Sequence, residues 1–200
     1  RIPPLGNHVA IARDEAFSFL YQHLLEGWRK AGAGLSFFSP LADEIPDPAA
    51  DAVYLPGGYP ELHAGRLSAA TRFRAAMAAK ASQGAAIFGE CGGYMCLGEG
   101  LVDSTGIRYA MLGLLPVVTS FEKRRRHLGY RRVRPLGGAF GGRAMNAHEF
   151  HYSTIVSEGP GEALFAASDA TGVNLGRVGL QRANVMGSYM HLIDLAGASQ

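Results

Sequence analysis

The sequence predicts an α/β domain whose first half is a mostly parallel sheet. Three observations carry this. Short apolar runs alternate with longer segments of helical period up to about residue 101, the joining turns are rich in glycine, and two of those turns follow a strand-like run directly. Units of this kind connect right-handed and cover both faces of the sheet, and ligands bind outside the carboxyl ends of its strands.

Taken in order, His8 to Ala12 reads as a strand. Asp14-Glu15 then opens a helical pattern in which Phe17, Leu20, Tyr21, Leu24, Leu25 and Trp28 recur on one face, with the acidic pair suiting the first turn. Gly32 and Gly34 end it, and Leu35 to Phe38 is a second strand. Asp43 to Ala50, with Pro46 and Pro48, is loop. Ala52 to Leu55 is a third strand, broken by Pro56-Gly57-Gly58-Tyr59-Pro60-Glu61. Leu67 to Ala81 is an alanine-rich helix, Ala85 to Gly89 a fourth strand, and Tyr94 to Leu101 is helix-compatible.

The second half changes character. Leu114 to Phe121, Gly129 to Arg134, Ala144 to Val156, Ala163 to Ala167, Gly172 to Gly179 and Ala183 to Gly187 are strand-like runs between Gly, Pro and Asp turns, which suits antiparallel additions to the sheet. After Ser188 to Asp194 the chain ends in a small polar tail.

Composition sets the bounds. Two hundred residues, 48% of them apolar, make one domain with a sizeable core. Lys and Arg together number 19 against 17 for Asp and Glu, a balance that argues for neither a nucleic-acid nor a membrane-surface partner. Cys91 and Cys96 fit neither a disulfide framework nor a Cys-x-x-Cys motif, so a reducing cytoplasm is the expected setting. No apolar run reaches the roughly 18 residues of a membrane span, and Arg1-Ile2-Pro3-Pro4 is no signal peptide. The chain opens without an initiator methionine, which reads as a segment of a longer polypeptide.

Gly89-Glu90-Cys91-Gly92-Gly93 has the layout of a nucleophile elbow, a reactive side chain on a sharp strand-to-helix turn. A lone cysteine is more often a small buried hydrophobe, but this glycine setting favours a nucleophile. Such a thiol needs a base, usually a histidine distant in sequence. His8, His23, His63 and His127 fall in places that suit structural or solvated roles; His191, after the glycine-bounded run Val185-Met186-Gly187, stands at a strand end and so at the pocket rim. His148-Glu149-Phe150-His151 is not a zinc-protease helix, and on a strand its two histidines point to opposite faces, so no metal is expected; Glu149 and His151 share one face. Lys123 to Arg134 carries seven cations in twelve residues. It reads as a solvated loop and edge strand, or as a surface for a polyanionic substrate or an acidic partner.

Seven stretches, in order, resemble one family: Ala10 to Phe17, Phe38 to Asp43, Pro56 to Glu61, Gly89 to Met95, Leu128 to Arg131, His148 to Ser153 and Gly187 to Leu192. They are similar to the C-terminal glutamine amidotransferase domains of cobyrinic (hydrogenobyrinic) acid a,c-diamide synthases, and the likeness covers essentially the whole chain. The resemblance implies a three-layer class I glutamine amidotransferase-like fold. It implies a glutaminase in which Cys91 attacks the side-chain amide of glutamine and His191 moves the proton, with Gly58 and Gly92 N–H groups as oxyanion donors. The class commonly orients the histidine with a glutamate two residues on; that position is Ile193 here, so Asp194 is the stand-in, or the site is a dyad with Glu149 or a backbone carbonyl orienting the ring. Arg131, His148, Glu149 and His151 would contact substrate or a neighbouring domain. Ammonia would pass to an N-terminal synthetase domain, absent from this chain, that uses ATP and Mg to amidate a corrinoid bound at the domain interface. No cofactor is implied in this domain, and a homodimer is compatible with the family. Two other readings share the motifs: the glutaminase of a cobyric acid synthase or lipid-linked cell-wall amidotransferase, and a non-catalytic interaction module.

Overall fold

The computed structural model describes residues 1–197; the end of the polar tail, residues 198–200, lies outside the described residues. The first half runs β1 (His8–Ala12), α1 (Gln22–Lys30), β2 (Gly34–Phe38), β3 (Ala52–Leu55), α2 (Ala64–Ala69), α3 (Thr71–Ser82), β4 (Ala86–Glu90) and α4 (Gly92–Leu97). The second half runs β5 (Gly100–Val102), β6 (Arg108–Ala110), β7 (Val117–Ser120), β8 (His127–Pro135), β9 (Met145–His151), β10 (Thr154–Glu158), β11 (Phe165–Asp169), β12 (Asn174–Val178), β13 (Leu180–Arg182), β14 (Val185–Ser188) and β15 (Met190–Leu195).

The central sheet has the order β13-β14-β4-β3-β1-β2 and is parallel except for β13. Alternation along its strands divides the core. Ala10, Val53, Leu55 and Ile87 face Leu67, Phe73, Met77 and Tyr94 of α2, α3 and α4. Val9, Ile11, Tyr54 and Phe88 face Leu25 and Trp28 of α1 together with Val133, Ala147 and Phe165 of a second sheet, β12-β11-β8-β9-β15. The result is the expected α/β fold with a parallel first half, three layers deep. The second-half strands, however, mostly build sheets of their own, the antiparallel β12-β11-β8-β9-β15 and the mixed β10-β7-β5-β6, in which β5 and β7 run parallel. Among the described residues β13 and β14 extend the central sheet, and the expectation that the 183–187 run is an antiparallel addition is corrected: β14 lies parallel to β4, and β13 alone of the two is antiparallel.

Four boundaries differ from the periodicity, each because a tertiary partner competes with local propensity. Residues 14–21 are not helical. The Asp14 carboxylate accepts from Ala16 N–H at 2.9 Å, Ser39 Oγ–H at 2.8 Å and Leu41 N–H at 3.0 Å, and Phe19 N–H donates to Gly57 O at 3.0 Å. The 67–81 helix is two helices, broken where Ala70 adopts ψ 77° and Phe73 N–H, in the first turn of α3, donates to Asp43 Oδ1 at 2.8 Å. The helix after Cys91 ends at Leu97, because Gly98 turns extended with its Cα against the Val117 carbonyl, and Gly100–Val102 becomes a strand beside β7. The 144–156 run divides at Tyr152-Ser153, giving one strand to each of the two smaller sheets. Among the described residues no helix is long and apolar enough to cross a membrane.

Candidate active site

Cys91 sits where β4 stops and α4 begins, with φ 51° and ψ −108°, a region that non-glycine residues avoid. The surroundings hold it there. Its N–H donates to Ser188 O at 2.8 Å and its carbonyl accepts from Met95 N–H at 3.0 Å. The turn also needs its glycines: a Cβ on Gly93 would overlap the Leu55 carbonyl, and one on Gly89 would lie 2.7 Å from the Gly93 carbonyl carbon. The thiol is 3% exposed and donates to Phe150 O at 3.6 Å. Burial pushes it up to about 12; the Gly92 N–H pulls the other way, while the Glu90, Glu61 and Glu149 carboxylates add to the rise.

His191 reaches the same place by a change of sheet. β14 pairs parallel with β4, the chain turns at Tyr189, and β15 continues as the edge of the five-stranded sheet with His191 opposite His148. The His191 ring meets Cys91 over Gly57. A Cβ there would overlap His191 Cε1 and stand 3.2 Å from Nδ1 and 3.4 Å from Cys91 Cβ. Among the described residues no hydrogen bond joins the sulfur to the ring, and unliganded sites are often loose in this way. Burial, followed by the neighbouring His148 and His151, pulls the imidazole down to about 4. The resting pair is therefore a neutral thiol and a neutral imidazole.

Asp194 does not join them. β15 bulges between Leu192 and Asp194, and the Asp194 side chain is 51% exposed with Oδ1 accepting from Leu195 N–H at 2.8 Å. The expectation that it orients the ring is corrected by this outward register.

The sulfur opens into a cavity of about 200 Å³, lined by Gly58, Glu61, Arg124, Phe150 and Tyr152 among others. Burial raises the Glu61 carboxyl, and Arg124 opposes that rise without forming an ion pair with it; the guanidinium lies 4.9 Å from the Tyr152 ring centre. Phe19 and Phe150 also line a second cavity, about 340 Å³, which holds His191, His148 and Tyr21. Gly58 packs its Cα on the Ala16 carbonyl, and among the described residues its N–H has no acceptor; Gly58 N also lies 3.1 Å from where a Gly92 Cβ would stand. Both oxyanion candidates thus border Cys91.

Arg131, Glu149 and His151 form one network. Arg131 Nε donates to Glu149 Oε2 at 3.0 Å, and the other Glu149 oxygen lies 3.1 Å from His151 Nε2. Burial alone would raise Glu149, but the hydrogen bonds from His151 and Arg131 outweigh it and hold the carboxylate low. The His151 ring stacks on Tyr189 at 3.7 Å and on His127 at 4.4 Å, and it forms part of the wall of the Cys91 cavity. His148 points to the other face, between Tyr130 and Phe150. Gly57, Glu61, Glu90 and Arg124 are site neighbours that the motif reading left without roles. Glu61 and Arg124 could have been flagged as opposite charges beside a glycine turn and within the arginine run.

A cysteine on an elbow at the carboxyl edge of a parallel sheet, facing a histidine carried in by a strand of the neighbouring sheet, defines the class I glutamine amidotransferase type of domain. The fold agrees: the chain superposes on a solved glutamine amidotransferase with TM-score 0.60 at 15% identity, covering 93% of this chain and 90% of that one. It superposes on PurLQS from Thermotoga maritima with TM-score 0.62 at 15% identity, covering 92% and 86%. Residues 8–198 match the CobB/CobQ-like glutamine amidotransferase domain, and the chain belongs to that family. Among curated relatives, it is 68% identical over its full length to the hydrogenobyrinate a,c-diamide synthase of Sinorhizobium sp and 66% identical, over 98% of its length, to that of Rhizobium meliloti (strain 1021). It spans 46% of the length of each of those proteins.

Proposed function

We propose that this domain hydrolyses glutamine to glutamate and ammonia. The observation that carries the reading is the meeting of Cys91 and His191 over Gly57, with Cys91 lining a cavity that also holds one carboxylate and one guanidinium that do not neutralise each other. Free glutamine presents the matching pair, an α-ammonium for Glu61 and an α-carboxylate for Arg124, with its amide carbon toward the sulfur.

Burial raises the thiol and lowers the imidazole, so moving the proton from Cys91 to His191 is uphill in the resting site. Sulfur attack therefore coincides with that transfer, and the charge is collected as an oxyanion by the Gly58 and Gly92 N–H groups rather than left on sulfur. The imidazolium returns its proton to the departing amide nitrogen, which leaves as ammonia. Water, deprotonated by the now neutral ring, cleaves the thioester and frees glutamate.

The ammonia serves, in this reading, amidation of the a and c side-chain carboxylates of hydrogenobyrinate, the acceptor for which the relatives are named. Activation of those carboxylates, with ATP and Mg, belongs to an N-terminal synthetase portion of the polypeptide in the cytoplasm. The basic run from Lys123 to Arg134 faces that portion or the carboxylate-rich corrinoid. In the full-length protein, Cys91→Ala is expected to abolish glutamine-dependent amidation while high ammonia still supports it. Unchanged glutamine-dependent turnover in this variant refutes the reading.

A further inference from the structure

Glu90 is a carboxyl where none is expected. It is fully buried at the end of β4, one residue before Cys91, on the face that carries Tyr54, Phe88 and Leu192 in an apolar cluster. A carboxyl in such surroundings is costly unless its oxygens are occupied. Here both are: Tyr54 Oη–H donates to Oε1, and Leu192 N–H donates to Oε2 at 3.0 Å.

The second bond is the informative one. Among the described residues β15 is the edge of its sheet, paired only with β9, so the backbone N–H groups on its other side have no strand there to bond. β14 has a ladder with β4, in which Ser188 pairs with Glu90, but that ladder ends before Tyr189. The backbone carrying His191 thus leaves the sheet that holds the nucleophile, and the Glu90 side chain bonds the first residue after the histidine. No carboxylate touches the imidazole among the described residues, and Asp194 points away.

We propose that Glu90, braced by Tyr54, is the positioning residue of the Cys91–His191 pair, fixing the height of the His191 backbone over the nucleophile in place of an acid on the ring. The groups facing it are Tyr54, the Leu192 N–H and, further off, Tyr21 and Cys91. Gln at this position keeps both bonds, accepting from Leu192 and donating to Tyr54; Leu keeps the bulk and loses both.

The inference rests on the glutaminase reading, so the experiment runs beside Cys91→Ala in the full-length protein, with glutamine- and ammonia-dependent turnover measured separately. Glu90→Leu is expected to lower glutamine-dependent kcat by about 10²-fold, as a misplacement of order 1 Å does, with KM within about threefold and ammonia-dependent turnover unchanged. Glu90→Gln is expected to restore kcat to within about threefold. Tyr54→Phe, which frees one carboxyl oxygen, should lower kcat by a smaller factor at constant KM, and it decides the matter if Glu90→Leu does not fold. The proposal is overturned if Tyr54→Phe and Glu90→Leu leave kcat intact, if Gln is as damaging as Leu, or if ammonia-dependent turnover falls in parallel. If Cys91→Ala retains glutamine-dependent turnover, the glutaminase reading fails instead.

Discussion

Gly57→Ala isolates the geometry of the pair from its chemistry. Gly57 does not sit at positive φ, so alanine meets no backbone strain, and the new methyl group is the whole perturbation. That methyl overlaps His191 Cε1 and presses on Nδ1 at 3.2 Å. Restoring ordinary carbon–carbon contact of about 3.5 Å requires the ring to withdraw by about 1 Å. The backbone behind the ring is tied through Leu192 to Glu90, so withdrawal means rotation away from Cys91. Overpacking of this kind costs about 1–3 kcal/mol of stability, and an error of 1 Å between nucleophile and base costs about 10²-fold in rate. Steady-state glutaminase kinetics of the full-length protein should show kcat down about 10²-fold, with ammonia-dependent turnover retained. Gly65→Ala, whose Cβ would meet only Tyr109 Cε1 at 3.4 Å, is the matched control and should be neutral. A Gly57→Ala kcat within threefold of the parent refutes the claim that the two side chains converge over this residue.

Arg124→Ala or Glu61→Gln should raise KM for glutamine by about 10- to 10²-fold with kcat changed less, since each removes one charge-assisted contact of about 1.5–3 kcal/mol; an unchanged KM rules out the proposed recognition. With its thiol near 12, Cys91 should react with iodoacetamide at pH 7 at least about 10³ times more slowly than an ordinary exposed thiol, as followed by peptide mass spectrometry. A rate like that of a free thiol would refute the burial-raised thiol. Stability should depend on pH through two buried groups of opposite sign. His191, lowered from 6.5 to about 4, contributes stability present above about 6.5 and lost as pH falls through 4. Glu90, raised by burial from 4.5 to about 7, contributes stability present below 4.5 and lost as pH rises through 7. Each amounts to about 3 kcal/mol, and the two largely offset between pH 4.5 and 6.5. Denaturant titrations of Glu90→Gln should therefore show stability rising with pH across that window, and His191→Asn should show it falling. Parallel curves for the two variants would disprove the assignment.

Much of this was legible in the order of residues because it depends on short-range physics. The alternation of apolar runs with helical periods gave the parallel sheet, and Gly89 to Gly93 gave the elbow, since only glycine lets α4 lie directly on the Leu55 carbonyl. The opposite faces of His148 and His151 follow from the pleat alone. His191 was singled out as following the end of the 185–187 strand, and the structure makes it the second residue of β15 in the neighbouring sheet, beside Cys91 across Gly57.

Other features have no local signature. The segment from Asp14 to Tyr21 has a helical pattern, yet Asp14 bonds across to Ser39 and Leu41, contacts 25 and 27 residues away. The bulge that turns Asp194 outward is a property of how β15 pairs with β9, and no residue type announces it. Glu90 looked like one polar residue in a glycine turn until the fold set Tyr54 and the unpaired N–H of Leu192 around it. Sequence determined which residues could do chemistry, because side-chain type and backbone freedom are local. Only the tertiary structure decided which of them meet, because that depends on where a strand leaves one sheet for another, and the bonds that fix such a crossing join residues a hundred positions apart.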